Sequence, residues 1–177
     1  TGANNTAMGF YALLNNTTAS NNTAVGYQAG YSNTTGTANT YLGEGAGYGN
    51  TASSYNTFIG EAAGRSFNTT GNAGNTFVGV GAGYGTTTGT ANTFVGAWNP
   101  TTTTGCGQLI TTGSKNTIIG AYNGNQNGFD IRTASNNIVL SDGDGNPNFI
   151  SGYLPTAAST YQAATRVVTM GLGGSSA

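Results

Sequence analysis

The chain has 177 residues, with four Lys or Arg, five Asp or Glu, 31 Gly, one Cys and no His. Charged residues make up 5% of it, about a fifth of the usual share, so solubility must come from Thr, Asn and Gly. Without His there is no Ser-His or Cys-His catalytic pair and no imidazole metal ligand, and no catalytic residue, metal site or cofactor is assigned.

In chain order, the recurring unit is Asn-Thr, two apolar residues and Gly. It reads NTAMG from Asn5, NTAVG from Asn22, NTYLG from Asn39, NTFIG from Asn56, NTFVG from Asn75, NTFVG from Asn92 and NTIIG from Asn116. A degenerate eighth copy, NNIVL, begins at Asn136. Each copy predicts a short strand. Inside the units a second block follows, GYQAGY from Gly26, GEGAGY from Gly43, GEAAGR from Gly60 and GVGAGY from Gly79, which predicts a second short strand. Thr/Gly/Asn turn formers such as 33–38 and 86–91 close the unit. The unit from Asn92 to Lys115 is enlarged and carries Trp98, Pro100, Thr101 to Thr104 and Cys106; insertions in solenoids map to loops, often on a binding face. DGDGN, from Asp142, departs from a calcium loop at Pro147 and Tyr153 and reads as a turn. The tail beyond Tyr153 loses the repeat, with STYQAATRVVTM a strand or short helix and GGSSA flexible in composition. Residues 1–140 are therefore expected to form the repeat region and 141–177 a cap and tail.

Units of about 17 residues rich in Gly and Thr are poor helix material, since each Gly costs about 1 kcal/mol against Ala. The expected fold is all-β, a parallel β-solenoid or β-roll of about eight coils stacked some 4.8 Å apart. Equivalent residues then form columns. Asn22, Asn39, Asn56, Asn75, Asn92 and Asn116 form an expected amide ladder, the Gly after the apolar pair turns a corner, and the Ala-Gly pairs suit a thin coil.

Adjacent strand residues face opposite ways, so the two apolar positions of a unit cannot both point inward. Either choice leaves an outward apolar stripe, which a soluble monomer rarely exposes. The second column, Met8, Val25, Leu42, Ile59, Val78, Val95 and Ile119, is sized for a narrow interior. Tyr41, Phe58, Phe77, Phe94 and Ile118 then become the expected oligomer interface, and a parallel homotrimer is the natural closed assembly.

Tyr31, Tyr48, Arg65 and Tyr84 share one position and invite either lateral packing or sugar binding. With Trp98, the sole tryptophan, Tyr31, Tyr48 and Tyr84 are the candidate ligand-binding residues, although the large apolar area of Trp98 favours a cap over the fraying stack. Glu44 and Glu61 sit in one column, and carboxylates stacked by a repeat point the same way rather than flanking a scissile bond. The scattered cations Arg65, Lys115, Arg132 and Arg166 leave no footprint for nucleic acid or an anionic membrane. No apolar run approaches the roughly 18 residues of a membrane span. Cys106 by itself makes no intrachain disulfide. The opening at Thr1 reads as a processed product or an internal segment.

The NTAVGYQAGY and NTFIGEAAG units resemble repeats of phage tail fibres, and more distantly the β-roll heads of trimeric autotransporter adhesins, over about residues 4 to 140. NNIVLSDGDGNPNFI, from Asn136 to Ile150, is similar to the stretch that precedes the self-cleaving chaperone of such fibres. The resemblance implies a parallel trimer on a virion surface or otherwise extracellular, attaching to a host or surface glycan. Two rivals remain. One is a self-assembling extracellular filament joined through open coil ends. The other is ice binding by Thr arrays, which Ala52 and Ser54 interrupt between Thr35/Thr37 and Thr88/Thr90.

Overall fold

A computed structural model describes residues 2–96, 98 and 105–151. Among them there is no helix. The strands are β1 (Thr6–Met8), β2 (Thr23–Val25), β3 (Thr40–Leu42), β4 (Ala52–Ser54), β5 (Thr57–Ile59), β6 (Thr70–Asn72), β7 (Thr76–Val78), β8 (Thr93–Val95), β9 (Thr117–Ile119), β10 (Asn125–Gln126), β11 (Phe129–Asp130), β12 (Ile138–Ser141) and β13 (Pro147–Ser151). The main sheet runs β1-β2-β3-β5-β7-β8-β9-β12-β13, with β4-β6 and β10-β11 as small separate pairs. Its first eight strands are parallel and in register, Thr on Thr and apolar on apolar as far as β9, with Ile138 of β12 taking the Thr position, and β13 closes it antiparallel to β12. The result is a parallel β-solenoid of about seven turns, because the eighth copy is followed by a hairpin instead of another coil.

The Asn column closes each coil. Asn22, Asn39, Asn75, Asn92, Asn116 and Asn137 are almost fully buried. In the first of these coils Asn22 Oδ1 accepts from the Asn39 backbone N–H at 2.9 Å while its Nδ2 donates to the Gly36 carbonyl at 2.9 Å. Asn75 does the same with Asn92 N–H and Gly89, and Asn92 with Asn116 N–H and Gly113. One side chain thus ties the start of a coil to its own end and to the start of the next. The expected amide-to-amide ladder is present in part, with Asn22, Asn56, Asn75 and Asn137 each donating from Nδ2 to the Oδ1 of the Asn on the preceding coil at 3.0 to 3.4 Å, and the amide-to-backbone bonds beside it also satisfy buried peptide groups. Asn56 differs, its Nδ2 turning to Ser53 Oγ at 2.9 Å, because its own coil is two residues longer.

The last copy is shifted by one residue from the expectation. Asn137, and not Asn136, joins the ladder through its N–H to Asn116 Oδ1 at 3.0 Å. Asn136 has φ 64°, matching Asn4, Asn21, Ala38, Tyr55, Gly74, Ala91 and Lys115 immediately before the other ladder residues. This left-handed residue steers the chain into each strand, and Asn tolerates it better than most side chains.

The second block of each unit is not a strand. Gln28, Gly45, Ala62 and Gly81, and two residues later Gly30, Gly47, Gly64 and Gly83, all have φ near +60°, a conformation no strand admits. These turns still stack through backbone bonds between coils, as in Gly30 N–H to Ala46 O and Gly47 N–H to Ala63 O, both 2.9 Å. The glycine after the apolar pair does turn the corner. Gly43 has φ 128° and a Cβ there would lie 2.6 Å from the Gly60 carbonyl of the next coil, so any side chain collides with the backbone above it.

Inside the coil lie Ala24, Tyr41, Phe58, Phe77, Phe94, Ile118 and Val139, every one at 0% exposure. Phe58, Phe77 and Phe94 stack at centroid distances of 4.9 and 4.8 Å, the coil spacing itself. The neighbouring wall is Ala29, Ala46, Ala63, Ala82 and Cys106, all buried. Gly64 beds the ring of Phe58, whose Cδ2 would lie 2.7 Å from any Cβ placed there. In the first coil Leu13 occupies the glycine position and fills space left by the small Ala7 and Ala24. A second inward Asn column, absent from the expectations, comprises Asn33 and Asn50. Each accepts from the backbone N–H three residues on and donates to the carbonyl there, at 3.0 to 3.1 Å.

The ladder supports a direct test. Asn92→Ala leaves the Asn116 N–H and the Gly113 carbonyl without these partners, and should lower unfolding free energy by about 1–3 kcal/mol for each orphaned group. Chemical denaturation followed by circular dichroism measures it.

Candidate functional site

Burial assigns the two apolar columns in the opposite sense to the expectation. Tyr41, Phe58, Phe77, Phe94 and Ile118 line the interior of their own chain and cannot meet another one. The large rings fit inside because the opposite wall is Gly and Ala. The outward column is therefore aliphatic, with Met8, Leu42, Val95, Ile119 and Leu140 exposed and Val25, Ile59 and Val78 half-buried. Beside it on the same sheet face runs Thr6, Thr23, Thr40, Thr57, Thr76, Thr93 and Thr117, in unbroken register. The interruptions at Ala52 and Ser54 concern a different flank.

The four candidate ligand residues divide into two groups. Tyr31 and Tyr48 are half-buried and stacked on each other at 5.0 Å. The Arg65 guanidinium covers Tyr48 at 4.9 Å from its centroid, a cation–π contact. Their faces are thus occupied by one another, which matches the lateral-packing alternative. Tyr11 extends this cluster edge-on to Tyr31 at 6.1 Å, and Phe10 and Tyr27 lie beside it.

Tyr84 and Trp98 instead meet across a recess of about 450 Å³ lined by Glu61, Ala62, Val80, Gly81, Tyr84, Trp98 and Gln108. Its origin is local. Gly96 occupies the corner position, and the chain rejoins the coil path at Gly105, which is equivalent to Gly81. One residue, Val80, separates Gly79 from Gly81, whereas residues 97–104 separate Gly96 from Gly105. Trp98, from this excursion, lies back over the bare backbone of Gly81, where a Cβ would come 3.2 Å from its ring. Pro100 and Thr101 to Thr104 fall outside the described residues, as does the whole tail from residue 152.

Gln108 is the polar side chain of the recess that the sequence did not single out. It stands in the Tyr31/Tyr48/Arg65/Tyr84 column, one coil beyond Tyr84, and its Oε1 accepts from the Gly105 N–H at 2.6 Å. Glu44 and Glu61 do stand on adjacent coils, Glu44 O accepting from Ala62 N–H at 2.8 Å, but only Glu61 lines the recess.

Other reactive groups are committed to structure. Cys106 is fully buried, and desolvation pushes its thiol up to about 12. Burial likewise raises the Tyr41 phenol, which accepts from Asn50 Nδ2 at 2.6 Å, and the Tyr122 phenol, which donates to the Phe129 carbonyl at 2.7 Å. The Asp142 carboxylate accepts from the backbone N–H of Asp144 at 3.0 Å and of Asn146 at 2.8 Å, and bonding from Asn146 lowers its pKa. DGDGN is accordingly the turn between β12 and β13. Among the described residues no three of His, Cys, Asp and Glu gather as a metal site.

Compared with known proteins, the chain matches no family model, no curated protein and no solved structure.

The thiol provides a check on the interior. Cys106 should resist alkylation by an exposed-thiol reagent at pH 8 in the native protein and react fully in denaturant. Rapid native labelling, read by mass spectrometry, would contradict its place in the Ala column.

Proposed function

We propose that this chain is a non-enzymatic structural module of an extracellular fibre, of the phage tail fibre or surface adhesin kind, which attaches to a host or surface glycan. Three parallel copies associate through the outward aliphatic column. The observation that carries the reading is that column itself: eight aliphatic side chains aligned along one sheet face, five of them exposed and three half-buried among the described residues. Apolar area of that continuity is stabilised by burial against another surface. One straight stripe per rod is closed by rotation about an axis parallel to the rod. The inward ring stack needs no partner, so each protomer keeps its own core while it associates.

Head-to-tail growth into a filament is less well supported. At the C-terminal end of the described residues β13 runs antiparallel to β12, so the parallel stack is not continued there. A second reading does draw on a specific observation. The unbroken Thr column beside the aliphatic one forms an in-register array repeating once per coil, which suits ordered water or ice. The two readings compete for the same face.

Light scattering coupled to size exclusion separates them. We expect a discrete mass of three chains, falling to one chain for the Ile59→Asp/Val78→Asp variant with its β-type circular dichroism intact. A wild-type monomer with thermal hysteresis would give the face to ice and sink the trimer.

A further inference from the structure

We propose that the recess beneath Trp98 binds one uncharged pyranose unit of a surface glycan. Trp98 and Tyr84 supply apolar faces for the sugar's C–H side, and Glu61 with Gln108 supply the partners of its hydroxyls. The inference deepens the attachment role proposed above and rests on it.

The volume of about 450 Å³ lies within the ~300–1,000 Å³ usual for small-molecule sites. Its walls combine two large aromatics, both 38% exposed, with a floor of bare backbone at Gly81. Exposed aromatics that are not stacked on each other leave a face for a ligand, in contrast to Tyr31 and Tyr48. The polar groups are complementary in kind. Glu61, exposed at the rim, is acceptor-only when ionised and can take two hydroxyl donors. The Gln108 carbonyl is already used by Gly105, so its side chain offers the Nε2 donors.

This set selects a polyol. A wholly apolar ligand would strip water from the Glu61 carboxylate without replacing its hydrogen bonds, a cost that burial of the rings would have to overcome. An acidic sugar or a phosphate meets Glu61 directly, with Glu44 one coil away. The nearest cation in the aromatic column, Arg65, is engaged on the Tyr48 face toward the preceding coil and does not line the recess. A neutral pyranose has both the apolar face and the vicinal hydroxyls that these groups match.

Trp98 is the sole tryptophan of the chain, so its emission reports on the site alone. The full chain is titrated with neutral oligosaccharides of glucose, mannose, galactose and N-acetylglucosamine, with oligogalacturonate and sialyllactose as acidic controls. Calorimetry follows the variants, and circular dichroism verifies their folding. We expect at least one neutral oligosaccharide to give a saturable emission change with a Kd of about 1 mM or tighter. Trp98→Ala should weaken binding by about tenfold or more and Glu61→Gln by several-fold, with the acidic probes binding worse than the neutral ones. Silence across the neutral panel overturns the proposal, as does a preference for the acidic probes. Glycan binding that survives Trp98→Ala also overturns it, while leaving the attachment role standing at another surface. The mass measured on the same samples judges the fibre reading independently.

Discussion

The structure depends on a single constraint, the closing of each coil by a buried asparagine. Its carbonyl oxygen takes the first N–H of the next coil and its amide takes the carbonyl that ends its own. No other side chain of similar size offers a donor and an acceptor in this fork, uncharged. Buried Asp would lack the donor and carry a charge. Because the coils, apart from the longer one that begins at Asn56, are closed in this same way, each repeats the path of the one below. In-register parallel pairing then follows along the entire sheet.

Stacking at a fixed spacing amplifies small choices into continuous surfaces. A ring placed in one coil is placed above a ring in the next, and the two stack at the spacing the backbone dictates. The interior admits those rings only because the opposite wall is Ala and Gly. The same logic makes the outward aliphatics and threonines continuous columns. A thin solenoid has one inner face per strand, so whatever the outer positions carry is displayed along its length.

The proposed sugar site lies where the repetition is broken. The seven-residue excess after Gly96 lifts Trp98 out of the coil path and lays it over Gly81. Tyr84, whose counterparts Tyr31 and Tyr48 pair with each other, is left facing a recess. The coils that carry Glu61 and Tyr84 supply the floor and part of the wall, and the enlarged one supplies Trp98 and Gln108. The chemistry of the recess is therefore a local property superimposed on the repeating scaffold.

Much of this was legible in the sequence, because a solenoid turns spacing along the chain directly into spacing in space. The Asn-Thr-apolar-apolar-Gly period determined the all-β stack, its register, the Asn column, the corner glycine and the rule that one apolar column must face outward. Trp98 and Tyr84 also stood out there. The sequence did not decide which column goes in, since that depends on the width left by the Ala-Gly wall, and the path of this wall is set by left-handed turns that read locally as a strand. Nor did it decide that Asn137 rather than Asn136 joins the ladder, because both are Asn and only the backbone conformation distinguishes them. The meeting of Trp98, Tyr84, Glu61 and Gln108 likewise belongs to the tertiary structure alone. Those residues lie on three coils, and it takes stacking plus the placement of Trp98 over Gly81 to bring them around one recess.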